Sequence, residues 1–170
     1  MATAHLICGL PAAGKTTYSS SLKVKTAGVQ FSLDRWLVTA YGQYSIDTIG
    51  NNKHTHRVIV CRTLIWTVCE EFLQRNVDVI IDDGFFLREH RTQYAKMCRT
   101  IDVDVTVHYI NTPIEIIEKR IKRRNNNLPT NNFAISPSLF GLIIGMFNEP
   151  SADEGIKIHE IKYNLDNKTN

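Results

Sequence analysis

Near the amino terminus, Gly9-Leu10-Pro11-Ala12-Ala13-Gly14-Lys15-Thr16 reads as G-x-x-x-x-G-K-[ST], directly after a short apolar run and directly before a helical pattern. Small residues let a backbone wrap round a polyphosphate, so that successive N–H groups and the positive end of the following helix point at the anion. Gly9, Ala12, Ala13, Gly14, Lys15, Thr16 and Thr17 are therefore the candidate nucleotide-binding residues. Lys15 would neutralise the β and γ phosphates of ATP, and the Thr16 hydroxyl would ligate Mg2+. Thr16, Thr17, Ser19, Ser20 and Ser21 are poor helix formers, so packing through Tyr18 and Leu22 must hold the helix that follows.

Phosphoryl transfer also needs a carboxylate near the incoming hydroxyl. Asp34, in Ser32-Leu33-Asp34-Arg35-Trp36, stands at the end of a strand pattern, where open parallel sheets place their ligands. Two readings fit it: a general base facing the γ-phosphate, or the N-cap of the next helix. Val79-Ile80-Ile81-Asp82-Asp83 is an apolar strand ending in acid, with Asp82 the expected Mg2+ partner, Asp83 the fallback, and turn chemistry the alternative. Arg120 and Arg124 are four apart and share a helix face beside an Asn-rich stretch, which suits a lid over the phosphates or a solvated basic helix end. Arg88 and Arg91 would hold an anionic acceptor or the γ-phosphate, or else decorate a surface helix.

These residues need a scaffold, and the chain alternates short apolar runs with longer helical patterns. Strands are expected at His5–Cys8, Val29–Leu33, Val77–Asp82, Val103–Ile110 and Ile156–Ile161. Between the second and third, Val58, Cys61, Ile65, Cys69 and Phe72 recur at three- and four-residue steps on one face of a helix from about Lys53 to Arg75. Strand–helix–strand order implies a parallel sheet with helices on its faces. After Ile110, Thr112, Pro113 and Glu115 spell a capping box, and Ser136-Pro137 restarts a helix beyond the polar stretch Asn125 to Asn132. With 170 residues, 22% charged and a net charge of +3, the chain has the length of one globular domain, 1–170, with a lid around 120–137. The four cysteines have neither metal-ligand spacing nor the density of a disulfide scaffold, and no run approaches the length of a membrane span. A reduced, cytoplasmic chain with no membrane partner is expected.

Taken together, the phosphate loop, Asp34 with Trp36, the stretch Asp82-Asp83-Gly84-Phe85-Phe86, Arg88 with Arg91, Arg120, Arg124-Asn125, Phe133-x-Ile135-Ser136 and Phe147 to Glu154 resemble the small P-loop kinases of the AAA_33 or zeta-toxin-like group. Relatives of that group include chloramphenicol phosphotransferase and the 5'-kinase domain of phage polynucleotide kinase. The resemblance implies a three-layer α/β P-loop fold like that of the nucleoside monophosphate kinases, with a five-stranded parallel sheet in the order 2-3-1-4-5. It also implies Asp34 as general base and Arg120 or Arg124 as lid arginines. Ala12-Ala13 replaces a commoner Gly-Ser, Arg35 stands where an acid is frequent, and Asp83 where an apolar or aromatic residue is frequent. Arg35 thereby joins Arg88 and Arg91 as a candidate acceptor-binding residue.

The expected activity is an ATP- and Mg2+-dependent phosphotransferase acting on a hydroxyl of a small-molecule acceptor. No N-K-x-D guanine signature is present: Asn52-Lys53 leads into His54-Thr55, and Asn167-Lys168 into Thr169-Asn170. The alternatives are an ATP-binding regulatory module without turnover and a nucleic-acid 5'-end kinase. The basic cluster from Lys119 to Arg124 lacks the interleaved aromatics that a nucleic-acid track needs. The Phe147 to Pro150 turn is expected either to floor the adenine pocket or simply to stop a helix.

Overall fold

The computed structural model describes residues 1–163. The Asn167-Lys168 pair lies outside them. Strands β1 (Thr3–Cys8), β2 (Val29–Ser32), β3 (Val79–Gly84), β4 (Asp104–Asn111) and β5 (Lys157–Lys162) pair in parallel in the order β2-β3-β1-β4-β5. Parallel neighbours require crossovers, and α1 (Lys15–Thr26), α2 (Leu33–Tyr41), α3 (Ile46–Ile49), α4 (Asn51–Gln74), α5 (Arg88–Thr100), α6 (Ile114–Asn126) and α7 (Pro137–Met146) lie along the connections.

Alternation along the central strands divides the core. Ala4, Leu6, Cys8, Val79, Ile81 and Val107 face one layer, where α2, α4 and α5 contribute Leu37, Ile65, Cys69 and Tyr94. Ile7, Ile80 and Ile110 face the other, against Ile117 and Ile121 of α6, Phe140 of α7 and the half-buried Tyr18 and Leu22 of α1. All four cysteines are buried and free, so they serve as small core side chains. No helix among the described residues is long and apolar enough to cross a membrane.

One expected helix start takes a different form. Pro113, not Thr112, is the N-cap of α6, because the Thr112 hydroxyl donates instead to the Ala13 carbonyl at 2.9 Å. The capping box is thus given up for a contact with the phosphate loop. At α7 the expected start holds, with Ser136 Oγ accepting from the Leu139 amide and Pro137 in the first turn.

Polar groups also cross the second layer. His5 Nδ1 and His108 Nε2 share a hydrogen bond of 2.9 Å, and His108 Nδ1 shares another of 2.8 Å with the Tyr18 hydroxyl of α1. Asp78 Oδ2 closes the far end, 3.4 Å from His5 Nε2. Burial, followed by the charges of His5 and His159, lowers the pKa of His108 to about 4, so the folded chain holds this imidazole neutral at pH 7. Between that value and the ordinary one near 6.5 the unfolded chain binds the extra proton, so stability falls as pH falls through this window. Urea unfolding across pH 4 to 7 should show this slope in the wild type, about 1.4 kcal/mol per pH unit at most for one proton. His108→Gln should flatten it, and an unaltered slope would remove His108 from the acid response.

Candidate active site

The turn between β1 and α1 is built from backbone conformations that few residues accept. Gly9 has φ +151°, and a Cβ there would come within 2.9 Å of the Ile110 carbonyl oxygen. Gly14, at φ +109°, occupies the N-cap of α1, and Ala12 is left-handed at φ +60°. The Gly9 amide donates to Gly84 O at 3.0 Å, so the loop hangs from the end of β3. Behind the loop, Arg120 NH1 reaches Ala12 O and Ala13 O at 3.2 and 3.1 Å, beside the Thr112 hydroxyl. A planar peptide whose carbonyl is held from behind must aim its N–H the other way, and the Gly14 amide therefore faces the open side of the loop.

Lys15 Nζ donates to Leu10 O at 3.0 Å, across the mouth of the loop. Burial pulls its pKa below the ordinary lysine value, while Asp82 and Asp34 oppose the shift. The Thr16 hydroxyl donates to Asp82 Oδ2 at 2.7 Å. Burial raises Asp82, with Lys15 and the Thr16 hydrogen bond opposing it. Asp83, next in sequence, turns away to α4, where Arg62 Nε and NH2 grip its carboxylate at 2.6 and 2.7 Å. Of the two acids at the strand end, Asp82 is the one beside Thr16.

Asp34 lies in the first turn of α2, and no side-chain hydrogen bond from Ser32 caps that helix. Solvent reaches Asp34, yet protein surrounds it, and this withdrawal from bulk water pushes its carboxyl up to about 6 against the pull of Lys15. Arg124 acts on the same carboxylate. Its NH2 lies 3.4 Å from Phe133 O, and its Nε is a buried nitrogen with no partner among the described residues. A guanidinium left partly unsatisfied facing a carboxylate across open space has capacity for an oxyanion. Asn125 ties the segment down by donating from Nδ2 to Ile135 O at 2.8 Å and accepting from the Ile135 amide.

The charged side chains among these groups line one cleft of about 1840 Å³. Pockets for single small ligands run to roughly 1,000 Å³, so this volume has room for a nucleotide and a second substrate. Gly14, Lys15, Thr16, Thr17, Asp34, Arg35, Asp82, Arg120 and Arg124 all border it. The set of hard oxygens at Thr16 and Asp82 suits Mg2+.

Arg88 and Arg91 do not line the cleft, which corrects the reading of them as acceptor-binding residues. Arg91 is fully buried, with Nε donating to Glu154 Oε2 at 2.8 Å, NH2 paired to Oε1, and NH1 donating to Phe85 O at 2.9 Å. Arg88 pairs outside with Asp153 at 2.8 Å. Both tie α5 to the chain preceding β5. The Phe147 to Pro150 turn serves the same brace, since the Asn148 amide donates to Phe86 O at 2.8 Å and Phe147 packs on Tyr109, away from the cleft. Among the cleft residues that no motif marks are Arg62, and Tyr163, whose ring lies 5.2 Å from the Arg120 guanidinium. A buried acid at an otherwise apolar strand end requires a cation nearby, and that requirement is the signal that points to Arg62.

A family model for an AAA domain, AAA_33, matches residues 5–135. No curated protein sequence matches the chain. Among solved structures, a Chloroflexus aurantiacus protein assigned as a kinase superposes with a TM-score of 0.76 at 14% identity, covering 99% of this chain and 92% of that one. Chaetomium thermophilum Kti12, in complex with ADP-AlF3, gives 0.71 at 14% identity, with 96% and 91% covered. A chain of the Pnkp1/Rnl/Hen1 RNA repair complex gives 0.61 at 18% identity, with 85% of this chain and 43% of that one covered. At such identities the likeness is one of fold.

The structural assignment of Arg91 has a measurable consequence. Arg91→Met strands the Glu154 carboxylate in the core and should cost about 3–5 kcal/mol in urea unfolding. Arg91→Met combined with Glu154→Leu should recover most of that loss. Near-wild-type stability of the single variant would refute the brace.

Proposed function

The chain belongs to the AAA_33 family, and from that premise and the chemistry of the cleft we propose that it is an ATP-dependent phosphotransferase whose acceptor is a hydroxyl of a small molecule. The observation that carries this reading is the opposition of Asp34 to Lys15 and Arg124 across one cleft, with each cation acting on the carboxylate. A carboxylate in that place can take the proton of an incoming hydroxyl.

Gly9 to Thr17 holds the triphosphate of ATP through backbone amides, with Lys15 leaving Leu10 O to meet the β and γ phosphates. Thr16 and Asp82 would hold a Mg2+, which supplies neutralisation of phosphate charge when bound. The acceptor hydroxyl oxygen forms a bond to the γ-phosphorus as the bond to the β,γ-bridging oxygen breaks. ADP leaves, and the hydroxyl proton passes to Asp34. A pKa of about 6 suits this task, since the carboxylate is ionised at neutral pH and still basic enough to take the proton. Arg124, on a lid that runs from about residue 120 to 137, stabilises charge on the group in transit, while Arg120 keeps its place behind the loop on the Ala12 and Ala13 carbonyls.

ADP formation against a panel of hydroxyl metabolites tests this. Lys15→Ala should lower the rate about 10²-fold or more. Asp34→Asn should abolish acceptor-dependent turnover while calorimetry still shows ATP binding. In the wild type, kcat should fall as pH drops through about 6, because protonation removes the base, while ATP binding measured by calorimetry should not follow that limb. ATP binding with no acceptor-dependent turnover would make the domain a nucleotide-responsive module instead.

A further inference from the structure

Beyond Asp34 the cleft continues between α4 and the turn after β3, where Trp36, Val58, Ile59 and Leu87 wall it. The Arg62–Asp83 pair brings a charge into that wall, and the rings of His54 and His90 also line the cleft. The Asp83 carboxylate is 2% exposed and the Arg62 side chain 21%, so the pair hides its acid and shows its guanidinium to the cleft. Nε and NH2 are engaged by Asp83. NH1 has no hydrogen-bond partner among the described residues, and its two N–H groups are held in a fixed plane by the fork on the other edge.

Neutralising Asp83 takes only the Nε and NH2 edge of Arg62, so the fold leaves the NH1 edge unused. A fixed guanidinium edge among apolar side chains and neutral polar ones is what orients a ligand. The charge of the cleft points the same way. Eight lysines and arginines line it against three aspartates, an excess of five where the whole chain carries +3. A triphosphate chelated by a divalent cation brings roughly two negative charges, which leaves cationic capacity for a second anion.

We propose that the acceptor is a small hydroxyl compound bearing its own phosphate or carboxylate, and that the NH1 edge of Arg62, oriented by Asp83, grips that group. This rests on the phosphotransferase reading above and adds the class of acceptor. Arg62 takes the place that Arg88 and Arg91 cannot fill. Asp83 is a positioning residue, and the proton still goes to Asp34.

The test works with an unidentified acceptor. A small-molecule cell extract is separated by anion exchange, and each fraction is incubated with the full chain, Mg2+ and γ-labelled ATP. The expected result is label on a compound of the retained, anionic fraction, with its KM raised roughly tenfold or more by Arg62→Gln. Mass spectrometry of the product then tells phosphate from carboxylate. Because Arg62→Gln leaves Asp83 unpaired, Arg62→Met with Asp83→Leu removes the pair without a lone buried charge and should show the same loss. Calorimetry with unlabelled ATP reports whether each variant is folded. Label on a compound of the flow-through, or an acceptor KM unmoved in the double variant, overturns the acceptor class and leaves the phosphotransferase standing. No transfer to any fraction by protein that binds ATP overturns both.

Discussion

The site depends on the capture of two carbonyls. Ala12 O and Ala13 O receive donors from Arg120, and Ala13 O receives a further one from Thr112. Peptide planarity converts that grip into an orientation for the Gly14 amide on the other side, while the Ala13 amide closes the loop on Leu10 O. The loop is therefore shaped before any anion arrives, and binding does not have to organise it. The exchange at Thr112 shows the priority. A capping box would satisfy a helix terminus at a gain of about 1 kcal/mol, yet the hydroxyl goes to the phosphate loop, because a loop with a misdirected amide would lose its anion site altogether.

The rest of the cleft follows from strand ends. β1, β2 and β3 all finish at the same edge, so the phosphate loop, Asp34 and the Asp82-Asp83 pair converge although they are far apart in sequence. What differs among the three acids is their company. Asp82 has a hydroxyl, Asp83 a bidentate arginine, and Asp34 only distant cations and open cleft. The environment thereby separates groups of identical chemistry: one hydrogen-bonded to a hydroxyl, one neutralised by a guanidinium and one open to the cleft.

Much of this is legible in the chain itself. The strands lie within two residues of where apolar runs place them, and the phosphate loop is contiguous, so its residue types report its geometry directly. The family resemblance adds the strand order, which periodicity does not contain. Arg91 escapes a reading from sequence for a physical reason: a helix residue is exposed or buried according to what packs over it, and its cover, Glu154, comes 63 residues later. Arg62 has no local signature, since its meaning depends on Asp83 across the layer. Thr112 departs from its capping pattern because a local motif and a tertiary contact compete for one hydroxyl, and the tertiary contact wins.

The carbonyl grip also bears on biosynthesis. Thr112 and Arg120 lie 99 and 107 residues beyond the Ala13 oxygen they hold, and Tyr18 is anchored 90 residues ahead, at His108. The amino-terminal loop is translated first and yet acquires its shape among the last, once α6 has cleared the ribosomal exit tunnel. A nascent chain shorter than that has the residues of the loop without the donors that set its carbonyls, whatever its first sixteen residues spell.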